Sequence, residues 1–268
     1  MTRDLVSDEQ AADLPRSLAP ERRERIREIV EARRGARLET LSLALGVSQA
    51  TIRRDLEHLA SEGRLRRVHG GAVAMHESTI EPLFDAKAVE APEEKERIAA
   101  RAVQLLSPED TVYLDSGSTV LALARLLAGW RQLTVVTNSI PIAMELLDRG
   151  PRLIIIGGEL RQTSRALVGP LTRLMLQSLH FDRAVMGTFA LSLENGLMTT
   201  DPAEAFTKEL VLTQAHEVIL LADSRKIWSS SFAYAGRLEA VDIIVTDRGV
   251  ADSALRSLER RGIKVITV

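Results

Sequence analysis

Apolar residues along this chain follow two rhythms. Between residues 21 and 72 they recur every three or four positions, the period of a helix that buries one face. Ile26, Ile29 and Val30 predict an inward stripe on a charged helix over 21–34. Leu41 and Leu45 share one face of a shorter helix, which Gly46 ends, since glycine takes the left-handed conformation at little cost. Ser48 is a good N-cap for a third helix, in which Ile52, Leu56 and Leu59 repeat at core spacing. Gly63 ends that helix. Arg64, Arg66, Arg67 and His69 follow, with Leu65 and Val68 as apolar anchors and Gly70-Gly71 as a turn. Two short helices about a glycine turn, then a basic hairpin, is the sequence form of a winged helix-turn-helix.

From about Glu93 the second rhythm takes over. Short β-branched or aliphatic runs recur at Thr111–Leu114, Leu133–Val136, Leu153–Ile156, Arg183–Met186, Val218–Leu221, Asp242–Val245 and Lys264–Thr267. Helix-like stretches such as Thr119–Leu127, Ile140–Leu147 and Asp252–Arg260 separate several of them. Continuous apolar strands divided by helices predict an α/β domain built on a mostly parallel sheet covered on both faces. Residues 75–92 lack clear periodicity and hold Pro82 and Pro92, which marks them as a linker. The expected organisation is a flexible segment 1–20, an α-rich DNA-binding domain 21–74, the linker 75–92 and an α/β domain 93–268.

Composition narrows the possibilities. With 268 residues, 45% hydrophobic, the chain is long enough for a small domain plus a large one. Net charge is only −2, yet the twelve arginines between Glu21 and His69 outnumber the eight acids there, a local excess of the kind found at a nucleic-acid footprint. There is no cysteine, so disulfides, thiolate metal sites and cysteine nucleophiles are excluded. No apolar run approaches ~18 residues and no basic-then-apolar leader opens the chain, so a cytoplasmic protein without a membrane partner is expected. Neither a cofactor nor a metal is expected.

On the third helix, Ala50, Arg54 and His58 point away from the apolar stripe at about 100° per residue, flanked by Thr51 and Arg53. A small residue and two arginines suit a helix in a major groove, because arginine pairs two-pronged with guanine or grips phosphate. The candidate DNA contacts are Ser48, Gln49, Ala50, Thr51, Arg53 and Arg54, with Arg66, Arg67 and His69 on the wing. The plainer reading makes Ser48 a cap only, Asp55 the partner of a nearby arginine, and the arginines a solvated face.

The carboxyl ends of the strands collect polar residues and glycine, the edge at which open α/β sheets bind ligands. Asp115-Ser116-Gly117-Ser118-Thr119 opens a helix, whose free N–H groups and hydroxyls would cradle an anion. Its spacing is that of neither a Walker loop nor GxGxxG, and a compact monophosphate is the natural guest. Lys226 would add a point charge. Asp115, Asn138, Asp201 and Glu204 are candidates for sugar hydroxyls, and Gly187 and the Gly157-Gly158 turn follow other strands. The plainer readings are helix caps, tight turns and surface ion pairs.

This pattern resembles the DeoR family of bacterial transcriptional regulators over nearly all of residues 21–247. The resemblance rests on Val47-Ser-Gln-Ala-Thr-Ile-Arg-Arg-Asp-Leu56, Gly63-Arg-Leu-Arg-Arg-Val-His-Gly-Gly-Ala72, Leu114-Asp-Ser-Gly-Ser-Thr119, Val136-Thr-Asn138, Gly157-Gly-Glu-Leu-Arg161, Val168-Gly169 and Leu221-Ala-Asp-Ser-Arg-Lys226. It implies a sensor domain with the fold of ribose-5-phosphate isomerases and CoA-transferase-like proteins, a phosphorylated-sugar effector, and repression of carbohydrate genes. Gly158 and Arg161 join the effector candidates. Three positions depart from the family pattern: Ser42, Ala190 where a second glycine is usual, and Arg225 where a small residue is common. A homodimer or homotetramer on a double-stranded operator is expected, with no enzymatic activity. Two alternatives stand beside this reading: a sugar-phosphate isomerase-like enzyme carrying a helical module, and an architectural DNA binder that senses nothing.

Overall fold

Helix α1 (Ala19–Ala32) buries Ile26 and Val30 completely and packs Ile29 beside them, as its stripe predicts. The structure is a computed structural model that describes residues 18–32, 35–62, 64–68, 70–73 and 81–268. Gly63, His69, most of the segment 1–20 and the first part of the linker lie outside the described residues. Strand β1 (Ala36–Arg37) leads into α2 (Leu38–Leu45), which ends on Gly46 at φ 62°, the left-handed value expected there. Ser42 has a use at this turn: its hydroxyl donates to the Val47 carbonyl at 2.6 Å. Helix α3 (Gln49–Ser61) buries Ile52, Leu56 and Leu59 against α1 and α2. The wing is β2 (Arg66–Val68) paired antiparallel with β3 (Gly71–Val73), and β3 also pairs with β1.

The second domain begins with α4 (Phe84–Val89) and α5 (Pro92–Ala102). It continues through β4 (Thr111–Leu114), α6 (Ser118–Leu126), β5 (Thr134–Thr137), α7 (Ile140–Leu146) and β6 (Arg152–Ile155). A hairpin of β7 (Glu159–Arg161) and β8 (Ala166–Val168), then α8 (Arg173–Leu176), precede β9 (Phe181–Gly187). After β10 (Ala190–Ser192) and β11 (Gly196–Thr199) come α9 (Pro202–Leu212) and β12 (Ala215–Leu221). The last elements are β13 (Ala233–Gly236), β14 (Ile243–Thr246), α10 (Asp252–Glu259) and β15 (Lys264–Thr267).

Seven strands form one parallel sheet in the order β15-β14-β12-β9-β4-β5-β6. Alternate residues feed two cores. Tyr113, Ala184, Met186, Val218 and Leu220 face one, while Val112, Leu114, Val185, Ile219 and Leu221 face the other. Burial on both faces explains why these strands read as unbroken apolar runs. β9 and β12 extend three residues beyond the runs that announce them. Polar Asp182, His216 and Glu217 interrupt their early stretches, and Arg183 and Glu217 pair across them at 2.8 Å.

Topology then locates the site. The chain winds outward from β4 through β5 to β6, and returns through β9 to wind the opposite way through β12, β14 and β15. The reversal falls between β4 and β9, so their diverging connections leave a crevice at the carboxyl ends. The two domains also touch at α3 and α10, where the Ser257 hydroxyl lies 3.3 Å from the Ser61 carbonyl.

Candidate functional site

The loop after β4 and the end of β9 meet at the switch point. Gly187 donates its N–H to Asp115 Oδ2 at 3.0 Å, and a Cβ at Gly187 would press on the Ser116 carbonyl at 3.0 Å. Asp115 is 1% exposed and receives Lys208 of α9, whose side chain is 3% exposed. Lys208 also reaches Glu204 at 3.6 Å and the Gly187 carbonyl at 3.2 Å. Burial pulls the Lys208 ammonium down, but Asp115 and Glu204 outweigh it and hold the pKa above the ordinary lysine value. Arg161 extends the network, reaching Glu204 at 3.1 Å, Asp201 at 3.3 Å and Glu81 at 2.7 Å.

Above this network lies a cavity of about 250 Å³. Ser116, Gly117, Ser118 and Thr119 line it on one side; Gly187, Thr188 and Phe189 on another; Lys226 and Asp223 on a third. Glu81, Lys87, Lys95 and Ser164 close it. Helix α6 starts at Ser118 behind Gly117, an N-cap with no side chain to offer, so its first-turn N–H groups receive no side-chain cap. The hydroxyls of Thr119 and Ser164 are buried without partners, as is Asp223 Oδ2. Lys226 is half-buried and forms no ion pair among the described residues. Removal from water lowers its pKa to about 8; Asp223 pulls it up, and Lys87, Lys95 and Lys208 push it further down.

Of the sequence candidates, Ser116, Gly117, Ser118, Thr119, Gly187, Glu204 and Lys226 line the cavity. Asp115 and Arg161 lie behind its wall, tied into the ion-pair network. Asn138 is buried, donating to the Leu167 carbonyl at 3.1 Å; Gly158 packs on Val168 and Thr172; Asp201 caps α9 through the Glu204 N–H at 2.9 Å. These three do not line it. Ala190 is buried in β10 and stands away from the lining, so its methyl does not narrow the cavity. Arg225 reaches the rim, but its charge is already committed to Asp223 at 2.9 Å and Glu90 at 3.0 Å. Sequence reasoning missed Lys208, Lys95, Lys87 and Glu81, which stand in segments with no motif and no clean period.

The candidate DNA-reading surface lies on α3. Ser48 caps it, accepting from the Thr51 N–H at 3.2 Å, and its hydroxyl lies 3.0 Å from that of Thr51. Gln49, Ala50, Arg53 and Arg54 are exposed, and neither arginine has an ion-pair partner among the described residues. Arg67 is exposed on β2 and pairs with Glu57 at 2.9 Å; Arg66 lies on the same strand. Asp55 is 2% exposed and takes Arg22 at 2.6 Å and Arg23 at 3.1 Å, which fastens α1 to the back of α3.

A helix-turn-helix with a bare arginine face, joined to an α/β domain whose switch-point cavity carries lysines, carboxylates and hydroxyls, defines a DNA-binding protein with a sensor. Residues 22–78 match the DeoR-like helix-turn-helix domain, and residues 90–248 match the DeoR C-terminal sensor domain. The HTH-type transcriptional regulator GlpR of Haloferax volcanii is 37% identical over 93% of this chain and 98% of its own length. The glycerol-3-phosphate regulon repressor of Escherichia coli is 31% identical over 82% of this chain and 87% of its own. The solved ribose 5-phosphate isomerase of Methanocaldococcus jannaschii has 19% identity and a TM-score of 0.38 over 51% of this chain and 54% of that one. The chain belongs to the DeoR family of transcriptional regulators.

Proposed function

We propose that this regulator represses carbohydrate-metabolism genes and that a small phosphorylated sugar in the switch-point cavity controls its affinity for the operator. One observation carries the reading: Lys226, an ammonium without an ion-pair partner among the described residues, shares a cavity with the uncapped start of α6 and the orphaned Thr119 hydroxyl. A helix N-terminus and a lysine are complementary to a phosphate dianion. Glu204 and Asp223, at the same cavity, suit sugar hydroxyls. A volume of about 250 Å³ fits a short-chain sugar phosphate rather than a nucleotide. Acting on DNA, the protein works in the cytoplasm, and a homodimer or homotetramer presents two α3 helices to operator half-sites.

Lys226→Ala tests this. Calorimetry with glycerol 3-phosphate and pentose phosphates is expected to show one of them binding the wild type, and a loss of about 10–100-fold in the variant, on the scale of a charge-assisted hydrogen bond. Operator affinity without ligand should be unchanged. Wild-type behaviour of the variant towards every sugar phosphate would remove Lys226 from the site.

pH supplies a second check. With its pKa near 8, Lys226 is mostly charged at pH 7 and mostly neutral at pH 9. The phosphate stays dianionic across that range, its second pKa being about 6. Effector affinity should therefore fall as pH rises through 8, and Lys226→Arg, which stays charged, should flatten the profile. An equally steep profile in the arginine variant would assign the titration to another group.

The isomerase alternative needs a general base free to move a proton. Asp115 is instead held by Lys208 and the Gly187 N–H, and Glu204 by Arg161 and Lys208. Lys226 has no ion-pair partner among the described residues, but with a pKa of about 8 it is mostly charged at pH 7 and acts there as an acid rather than a base. We expect no turnover of ribose 5-phosphate.

A further inference from the structure

Seven residues, 74–80, separate Val73 at the end of the wing from Glu81, and Glu81 lies in the wall of the cavity. Its side chain is 5% exposed. Three donors from three parts of the fold hold its carboxylate: Lys87 of α4, Arg161 Nη1 of β7 at 2.7 Å, and the Thr200 hydroxyl at 2.7 Å. Two cations and a hydroxyl form the donor set that recognises carboxylates and phosphates generally.

Helix α4 is fastened by polar groups drawn largely from the same cavity. Lys95 donates to the carbonyls of Lys87 and Glu90, and the Ser118 hydroxyl donates to the Lys87 carbonyl at 3.3 Å. Arg225 pairs with Glu90 just beyond the helix at 3.0 Å. Phe84 is buried with Ala88 packed beside it, and Arg165 stacks on Phe84 and pairs with Asp85, while Leu83 and Val89 stand exposed. Lys87, Lys95 and Ser118 are thus at once the fastenings of the interdomain segment and the cavity groups that suit an incoming anion.

We propose that Glu81 is a built-in anion, and that the anionic group of the effector competes with it for Lys87 and its neighbours, releasing the segment Glu81–Glu90 from the sensor domain. This rests on the reading of the cavity as a phosphate site. With Glu81 held, seven residues join β3 to it and can span at most about 25 Å; released as far as Pro92, the connection is eighteen residues and can span at most about 60 Å. Ligand occupancy thereby removes this attachment between the domains, leaving the contact of α3 with α10, and loosens the placement of α3 on paired half-sites.

The test uses the full chain and inorganic phosphate as probe, with calorimetry for affinity and amide hydrogen exchange for α4. In the wild type, saturating phosphate should accelerate exchange across residues 84–89. Glu81→Gln keeps the shape and loses the charge. It should bind phosphate about tenfold more tightly, the scale of one relieved like-charge contact in a partly buried site, and exchange rapidly at 84–89 before phosphate is added. Phosphate that binds the wild type while leaving 84–89 unchanged or slower overturns the role of Glu81 and leaves the cavity reading standing. An unaltered phosphate affinity in Glu81→Gln does the same. No phosphate binding in either protein, or binding undiminished by Lys226→Ala, removes the cavity reading and the proposal together. The wild-type exchange measurement is decisive even if the variant folds poorly.

Discussion

Arg54→Ala is expected to weaken specific operator binding by about thirtyfold or more and to leave effector binding untouched. Arg54 stands on the exposed face of α3, one turn from Ala50 and opposite the buried Ile52, Leu56 and Leu59. It has no ion-pair partner among the described residues, so its removal orphans no protein group. Loss of one arginine contact to a base edge costs about 1–3 kcal/mol. Two half-sites double that, so affinity should drop by about thirtyfold or more. Fluorescence anisotropy on the protein's own upstream intergenic DNA at fixed salt reads the loss, and an unchanged melting temperature shows the fold intact. A shallower salt dependence would mark Arg54 as a phosphate contact, whereas relaxed sequence preference would mark it as a base reader. Wild-type affinity in Arg54→Ala would remove α3 as the reading helix.

Lys208→Ala should cause the largest loss of stability of any single substitution considered. It leaves Asp115 and Glu204 as buried carboxylates facing one another without their shared cation. Breaking one member of a buried pair typically costs about 3–5 kcal/mol, which in a domain of this size lowers the melting temperature by about 10 °C. Lys208→Met with Asp115→Asn should recover part of that loss, because neither side is then left charged and unpaired. The sign with pH follows from the raised Lys208 pKa. Its contribution is fully present below the ordinary lysine range near 10.4 and fades as pH rises through the folded-state value. A shift under about 2 °C in Lys208→Ala would mean that water reaches the pair.

The contrast between these two residues shows what kinds of position a sequence discloses. Arg54 was legible because it occupies a phase of a clean helical stripe: with Ile52, Leu56 and Leu59 inward, its direction follows from the period. Lys208 was invisible for the opposite reason. Helix α9 turns Glu204, Thr207 and Lys208 inward beside Ala205, Val211 and Leu212, so half its buried face is polar and the stripe dissolves. Glu81, Lys87 and Lys95 were hidden likewise. Helix α4 has one buried aromatic residue and is held by ion pairs with residues distant along the chain, so the stretch 75–92 reads as featureless.

By itself the sequence determined the helix-turn-helix, the central strands of the parallel sheet and the loops that gather at their carboxyl ends. These features are local: hydrophobic period, cap and turn residues act within a few positions of one another. Tertiary structure alone decided which loop residues share a cavity. It set the ones that face it, such as Lys226 and Thr119, apart from Asn138, Gly158 and Asp201, which serve the wall behind. It also closed that cavity with the segment that leads to the DNA-reading domain. Those outcomes depend on strand order and on ion pairs between residues far apart along the chain: Arg161 and Glu81 of the network are 80 positions apart, and Arg225 and Glu90 are 135 apart. No window along the chain contains both partners of such a pair, so their meeting is a property of the fold.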